Sequence, residues 1–192
     1  MKYDLILAGV GGQGILSIAA VVCSAAVRTG YRIKQSEVHG MAQRGGAVQA
    51  HVRMSDRLIY SDLIPLGSAD LILGMEPLES LRYVPWLSPE GTIISNTESV
   101  RNTATYPADE ELTEALSARG KVLRIDASGI AREFRQPRAL NMALLGAAAP
   151  LLPYSVDVIE QAIRDIFSAK GDRVIDLNLA VFRAGLEKGR AV

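Results

Sequence analysis

YDLILAGVGGQG, residues Tyr3–Gly14, decides how the rest of the chain is read. Tyr3–Ala8 has the aliphatic pattern of a short buried strand. Gly9-Val10-Gly11-Gly12-Gln13-Gly14 turns the chain, and Ile15–Val27 continues as a helix with no charged side chain before Arg28. A strand that runs through G-x-G-x-x-G into a helix is the phosphate-cradling turn of a doubly wound α/β sheet. Glycine permits positive φ and a close approach of the backbone. The free N–H groups at the helix start favour an anion by roughly 0.3–1 kcal/mol. The same pattern also serves where only a tight turn is needed, so it speaks for fold more than for function.

Outward from this turn, Gly30 ends the helix and Tyr31–Val38 reads as a second strand. Residues 39–46, HGMAQRGG, carry three glycines in eight positions and read as a shaped loop. Ala47–Met54 alternates as a strand, and Leu58–Tyr60 is expected to return as a short partner strand. Ala69–Met75, ADLILGM, is a continuous apolar strand of the parallel-sheet kind. Glu76-Pro77 opens a helix, with proline near its first position, that ends near Val84-Pro85. Gly91–Ser95 is a further strand, 96–107 is irregular, Asp109–Arg119 is an exposed helix, and Lys121–Ile125 is the last central strand. Asp126 caps a helix to about Phe134. Ala139–Pro153 carries no charge and reads as a helix broken at Pro150, buried either in the core or against another chain. Ser155 caps Val156–Ala169, and Val174–Lys188 closes the chain with an apolar face. The order of elements predicts the α/β class: a Rossmann-like three-layer domain with a mostly parallel central sheet, one domain over 1–192.

Composition narrows the partners. Of 192 residues, 48% are hydrophobic, and 21 Lys+Arg balance 21 Asp+Glu, so no basic excess points to nucleic acid or to an anionic membrane. No run reaches the roughly 20 apolar residues that span a bilayer, and the expected location is cytoplasmic. A neutral chain is weakly protected against association, which suits a subunit. The single cysteine, Cys23, lies inside the apolar helix and reads as a small buried hydrophobe. One thiol cannot hold a four-cysteine iron–sulfur cluster.

Three chemical readings follow from the residues. A dinucleotide site needs an acid about 20 positions beyond the last glycine. That count lands on Lys34, between Arg32 and Gln35, with Glu37 further on, so an NAD site lacks its acid while Arg32 and Lys34 leave a 2′-phosphate open. Loop 36–46 should lie at the carboxyl end of the second strand, where open α/β sheets place ligands. There His39 supplies an imidazole, and Arg44 can hold a carboxylate or phosphate through two parallel bonds. With two histidines and no cluster at ligand spacing, no metal site is expected. Nucleophilic catalysis lacks a G-x-S-x-G elbow, and Glu76 and Glu79 read as solvent-exposed rather than as an acid–base pair. No self-sufficient active site emerges.

GVGGQG at 9–14 together with SEVHGMAQRGGAVQAHVR at 36–53 resembles the gamma-type domain of the 2-oxoacid:ferredoxin oxidoreductases, and within that family its indolepyruvate branch. The resemblance runs through the whole chain, including NMALLGAA at 141–148. It implies an enzyme shared between chains. Thiamine diphosphate with Mg2+ and the iron–sulfur clusters would belong to a larger alpha subunit, coenzyme A would be the co-substrate, and ferredoxin would take the electrons. This chain would then be a non-redox subunit that binds none of these cofactors firmly. Gly9, Gly11, Gly12 and Gly14 would shape a ligand or partner loop, with Gln13 presenting its amide. His39, Gln43 and Arg44 would face the neighbouring subunit or an anionic group, His39 and Arg44 being the nearest to catalytic candidates. Two rivals stay open: a stand-alone NADP- or flavin-binding oxidoreductase, and a pure assembly module docking through 139–153. Self-association of the isolated chain also stays open.

Overall fold

The computed structural model describes residues 1–40 and 45–190. One sheet holds β1 (Lys2–Val10), β2 (Arg32–His39), β3 (Ala47–Ser55), β4 (Ala69–Gly74), β5 (Leu87–Asn96) and β6 (Lys121–Ile125). Their spatial order is β2-β3-β1-β4-β5-β6. β1, β4, β5 and β6 run parallel, while β3 runs against both β1 and β2. The helices are α1 (Ile15–Arg28), α2 (Pro77–Arg82), α3 (Asp109–Ser117), α4 (Ala127–Glu133), α5 (Leu140–Ala148), α6 (Val156–Phe167) and α7 (Asp172–Gly189). Among the described residues no helix is long and apolar enough to cross a membrane.

Alternation along β1 sorts the layers. Leu5 and Leu7 pack with α1, α5, α6 and α7, whereas Ile6 packs with Ile72, Ile93 and Leu116 of α3 on the opposite face. Side chains of neighbouring strand residues point to opposite faces, so a strand covered on both sides reads as unbroken apolar sequence. The α/β class and the mostly parallel sheet stand as read from the sequence. The strand order departs from a simple doubly wound sheet, because the β2–β3 hairpin places β3 between β1 and β2.

This insertion explains one corrected expectation. Leu58–Tyr60 forms no strand. β3 is already paired on both edges, so no ladder is left for it. The backbone of this segment is held by side chains instead. Arg53 donates to the carbonyls of Ser61 (3.1 Å) and Leu63 (3.0 Å), and Lys34 donates to the carbonyl of Tyr60 (3.2 Å). The buried ring of His51 accepts the Ile64 N–H at Nδ1 (3.0 Å), so its other nitrogen carries the proton. Burial lowers the pKa of His51, which suits this neutral acceptor role.

The charge-free segment is core. Asn141–Ala149 is buried, and α5 lies directly on α7. Two glycines allow the contact. A Cβ on Gly146 would stand 1.9 Å from the Phe182 carbonyl oxygen, and one on Gly185 would stand 1.9 Å from that of Ala143. The backbones meet where any side chain would hold them apart. Helix α1 lies between the sheet and α6 and leaves Leu16 and Val27 exposed. Cys23 is only half-buried; its thiol donates to Gln35 Oε1 at 3.2 Å, and burial pushes its pKa up to about 11.

Gly185→Ala should therefore drive α5 and α7 apart and cost about 1–3 kcal/mol, on the order of 5 °C in melting temperature for a chain of this size. Thermal unfolding followed by circular dichroism checks this, and an unchanged midpoint would contradict the close packing.

Candidate functional site

The glycine turn is built from inward-facing bonds. Gln13 folds its side chain back into the turn: its Oε1 accepts the Val10 N–H (2.7 Å) and its Nε2 donates to the Met75 carbonyl (3.2 Å). The expectation that Gln13 presents its amide to a ligand is thereby corrected, because both ends of that amide are already used. Gly9 is needed for the same reason; a Cβ there would lie 2.8 Å from Gln13 Oε1 and 2.8 Å from Met75 Cβ. Gly14 sits at the N-cap of α1 with φ 81° and supplies no side-chain cap. Its carbonyl instead accepts from Asn141 Nδ2 at 3.1 Å, which ties α5 to the turn.

The hairpin loop docks on this turn. Gly11 donates its N–H to the Gly46 carbonyl (2.8 Å), and Gly45 donates to the Gly11 carbonyl (3.4 Å). Because β2 runs in the direction of β1, His39 ends its strand at the same edge. His39, Val48, Gly11, Gly12, Gly14 and Leu16 line a cleft of about 290 Å³. Nε2 of His39 lies 3.4 Å from Glu37 Oε2, with the side chain 46% exposed. Of the predicted residues, Gly11, Gly12, Gly14 and His39 thus come together around one opening, with Gly9 supporting the turn from beneath. Gln43 and Arg44 lie outside the described residues.

A second strap crosses the same edge. Asn102, in the irregular segment after β5, donates to the Gly45 carbonyl at 2.7 Å. That segment is held by Glu76, whose Oε1 accepts the Val100 N–H (3.3 Å) and the Tyr106 hydroxyl. The other oxygen of Glu76 caps α2 by accepting the Glu79 N–H at 2.9 Å. Asn96 bridges β4 to α4: it donates to the Met75 carbonyl (3.3 Å) and to Ser128 (3.1 Å), and accepts the Ala127 N–H (3.1 Å). Burial and the bond to Glu76 push the Tyr106 hydroxyl upward in pKa, which keeps it a donor.

The exposed reading of Glu76 and Glu79 is overturned. They are 1% and 2% exposed. Sequence pattern placed both on a short polar helix but could not show that the 97–107 segment lies over it. One usable signal was present: an acid directly before proline after a parallel strand marks a cap, and a cap at a strand end is often covered.

The register also removes the support for a dinucleotide. Lys34 sits mid-strand on β2, one strand removed from β1, with its ammonium on the Tyr60 carbonyl. It does not reach the glycine turn.

With this geometry in place, the chain matches the profile of the pyruvate ferredoxin/flavodoxin oxidoreductase family over residues 4–188. The chain belongs to this family. Among its relatives, indolepyruvate oxidoreductase subunit IorB of Methanothermobacter thermautotrophicus is 37% identical, over 96% of this chain and 96% of the relative. Solved structures share the fold. The gamma subunit of a keto/oxoacid ferredoxin oxidoreductase from Geobacter sulfurreducens superposes with a TM-score of 0.71 at 23% identity, covering 99% of both chains. The 2-oxoglutarate:ferredoxin oxidoreductase from Magnetococcus marinus, with 2-oxoglutarate, coenzyme A and succinyl-CoA bound, gives 0.80 at 22% identity. All of this chain is matched there, and it spans 31% of that longer chain. The same fold thus occurs as a separate subunit and as part of a larger polypeptide.

Glu79 gives a test of the buried edge. Its Oε1 accepts from Arg82 Nε (3.1 Å) while its Oε2 is buried without a partner. Burial raises its pKa, so the folded protein holds this proton more tightly than the unfolded chain does. Its stabilising contribution is complete below the unfolded carboxyl pKa and is lost as pH rises through the folded one. Glu79→Gln keeps an acceptor for Arg82 and removes the charge. It should melt above the parent near pH 8 and lose that margin near pH 4. A margin independent of pH in calorimetric scans would show that Glu79 is not the group that titrates.

Proposed function

We propose that this chain is the small, non-redox subunit of a thiamine-diphosphate-dependent 2-oxoacid:ferredoxin oxidoreductase. The reaction would be oxidative decarboxylation of indolepyruvate and related arylpyruvates to the arylacetyl-CoA, with reduction of ferredoxin. The observation that carries the reading is the 37% identity to an indolepyruvate oxidoreductase subunit over 96% of both chains. The whole length 1–192 is taken as one gamma-type domain, working in the cytoplasm.

The division of labour follows from the residues. A single cysteine leaves the iron–sulfur clusters to a partner, and thiamine diphosphate with Mg2+ is assigned to the same alpha subunit. When bound there, thiamine diphosphate supplies the electron sink for loss of carbon dioxide from the 2-oxoacid. The present chain supplies shape and polar groups at the carboxyl edge of its sheet. His39, beside the Gly9–Gly14 turn, and Gln43 and Arg44, which follow it in sequence, would face the shared active site. There Arg44 would hold an anionic group, either a coenzyme A phosphate or the substrate carboxylate. The coenzyme A bound in the Magnetococcus enzyme supports the first choice. Exposed apolar side chains at Leu58, Tyr60, Leu63 and Leu66 leave a surface suited to a neighbouring subunit.

A pure assembly role is the second reading, and the same experiment separates the two. In the complex reconstituted with its alpha subunit, Arg44→Ala should raise KM for coenzyme A or for the arylpyruvate about tenfold or more, the worth of one charged hydrogen bond. His39→Ala should act in the same direction. If oxidation, coenzyme A affinity and assembly are all unchanged in both variants, the loop has no part in the active site. Turnover by the isolated polypeptide would overturn the subunit reading itself.

A further inference from the structure

β2 ends the sheet and pairs with β3 alone, so the outer N–H and C=O groups of Arg32–His39 have no ladder. The strand runs eight residues in unbroken register, from Arg32 opposite Ser55 to His39 opposite Val48. Such an edge is a template for a further strand, and folds commonly blunt it with a proline, a bulge or a covering segment. β2 has neither proline nor register shift. Arg32, Lys34, Gln35, Glu37, Val38 and His39 are all exposed. Exposed apolar side chains lie to both sides of the strand. Val38 and Tyr60, whose carbonyl Lys34 holds, are on one face of the sheet, and Val27 of α1 is on the other. The other end of the sheet, β6, is only five residues long and carries Lys121 and Arg124. Joining β2 to β6 of a second molecule would bring two strands with two cations each together, and a head-to-tail contact of that kind grows open filaments unless its rotation closes a ring.

We propose that the β2 edge is an interface between two copies of this chain, the two β2 strands pairing antiparallel across a two-fold axis into one continuous sheet. A chain whose formal charges sum to zero meets no long-range repulsion from its copy. A two-fold axis normal to an antiparallel pair passes through the middle of a residue pair, so one residue of β2 must face itself. Charge selects that residue. Centred on Lys34 or on Glu37, the pairing sets like charges directly opposite, which is destabilising. Centred on Gln35, it faces Glu37 with Ile33, and centred nearer either end it pairs few residues. Centred on Ser36, it sets Gln35 opposite Glu37 of the second copy, twice by symmetry, with the Lys34 stem opposite Val38. Gln35 already donates to its own Glu37 and keeps a second amide hydrogen for the other. This register brings Ile33 of the second copy beside His39, so each copy borders the other's glycine-turn cleft. The pairing is made by backbone groups and does not depend on the roles proposed for His39 and Arg44.

Sedimentation equilibrium of the full chain tests the proposal: at micromolar concentration the species should have twice the 20.6 kDa of one chain. Ser36→Cys should form an intermolecular disulfide on mild oxidation, because directly opposed residues lie about 4.5–5.5 Å apart, within disulfide reach. Val38→Cys should not, since its copy lies four residues along the ladder, about 13 Å away. Nor should the parent, whose single thiol is Cys23 on α1. Gln35→Glu sets carboxylates opposite one another and should weaken the dimer about tenfold, and adding Glu37→Gln should recover most of that loss. Both positions are exposed, and circular dichroism of each variant checks that it folds. The proposal is overturned by any of four results: a parent chain that stays monomeric over the concentration range, no cross-link in Ser36→Cys, an equal cross-link in Val38→Cys, or full dimer affinity in Gln35→Glu.

Discussion

The Met75 carbonyl is the point on which the carboxyl edge of the sheet depends. It accepts from Gln13 Nε2 and from Asn96 Nδ2, and the Met75 N–H in turn donates to the Ala8 carbonyl at 2.8 Å. The backbone of one residue therefore joins the ends of β1, β4 and β5 and the start of α1. These groups are buried or nearly so, and an unpaired amide there would cost its full desolvation. That is why Gly9 carries no side chain and why Gln13 is turned inward. The glycine turn is thus a fixed wall, its one polar side chain, Gln13, already spent on the backbone.

Around this wall the family fold divides its tasks by edge. At the carboxyl edge lie the glycine turn, Gly45 and Gly46 before β3, and the 97–107 strap, tied together by Gly11, Gly45 and Asn102. At the opposite edge the 56–68 segment is pinned by His51 and Arg53 and turns apolar side chains outward. The two edges thus differ in kind: one is a rim of interlocked backbone bonds, the other an area of exposed apolar side chains. Glu76 serves the rim from below by capping α2 and holding the strap with the same carboxylate.

Much of the fold was legible because the local signals agree. β1, the turn and α1 are marked by apolar continuity and glycine spacing, and β4 by the apolar run Leu71–Leu73. Asp126 caps α4 as its position suggests, accepting the Gly129 N–H at 2.6 Å. The failures share one cause, contacts between residues distant in sequence. Nothing in Leu58–Tyr60 says that both edges of β3 are already occupied. Nothing in Glu76 or Glu79 says that Tyr106 and Val100 will cover them. The charge-free 139–153 segment allowed a core or a partner interface, and only the glycine contacts with α7 decide for the core. At the site, His39 was legible as a strand-end residue beside glycines, whereas Asn102 and Asn141 belong to segments whose polarity alone carries no address.

The placement of β3 has an evolutionary corollary. In a simple doubly wound sheet the connection leaving the second strand must cross over through a helix, so its length and course are bound up with the packing of a whole layer. Here the chain leaving β2 returns as an antiparallel neighbour, and a hairpin connection can be lengthened at little cost in closure entropy. Residues in such a connection can be exchanged in evolution while strand pairing and both helical layers stay undisturbed.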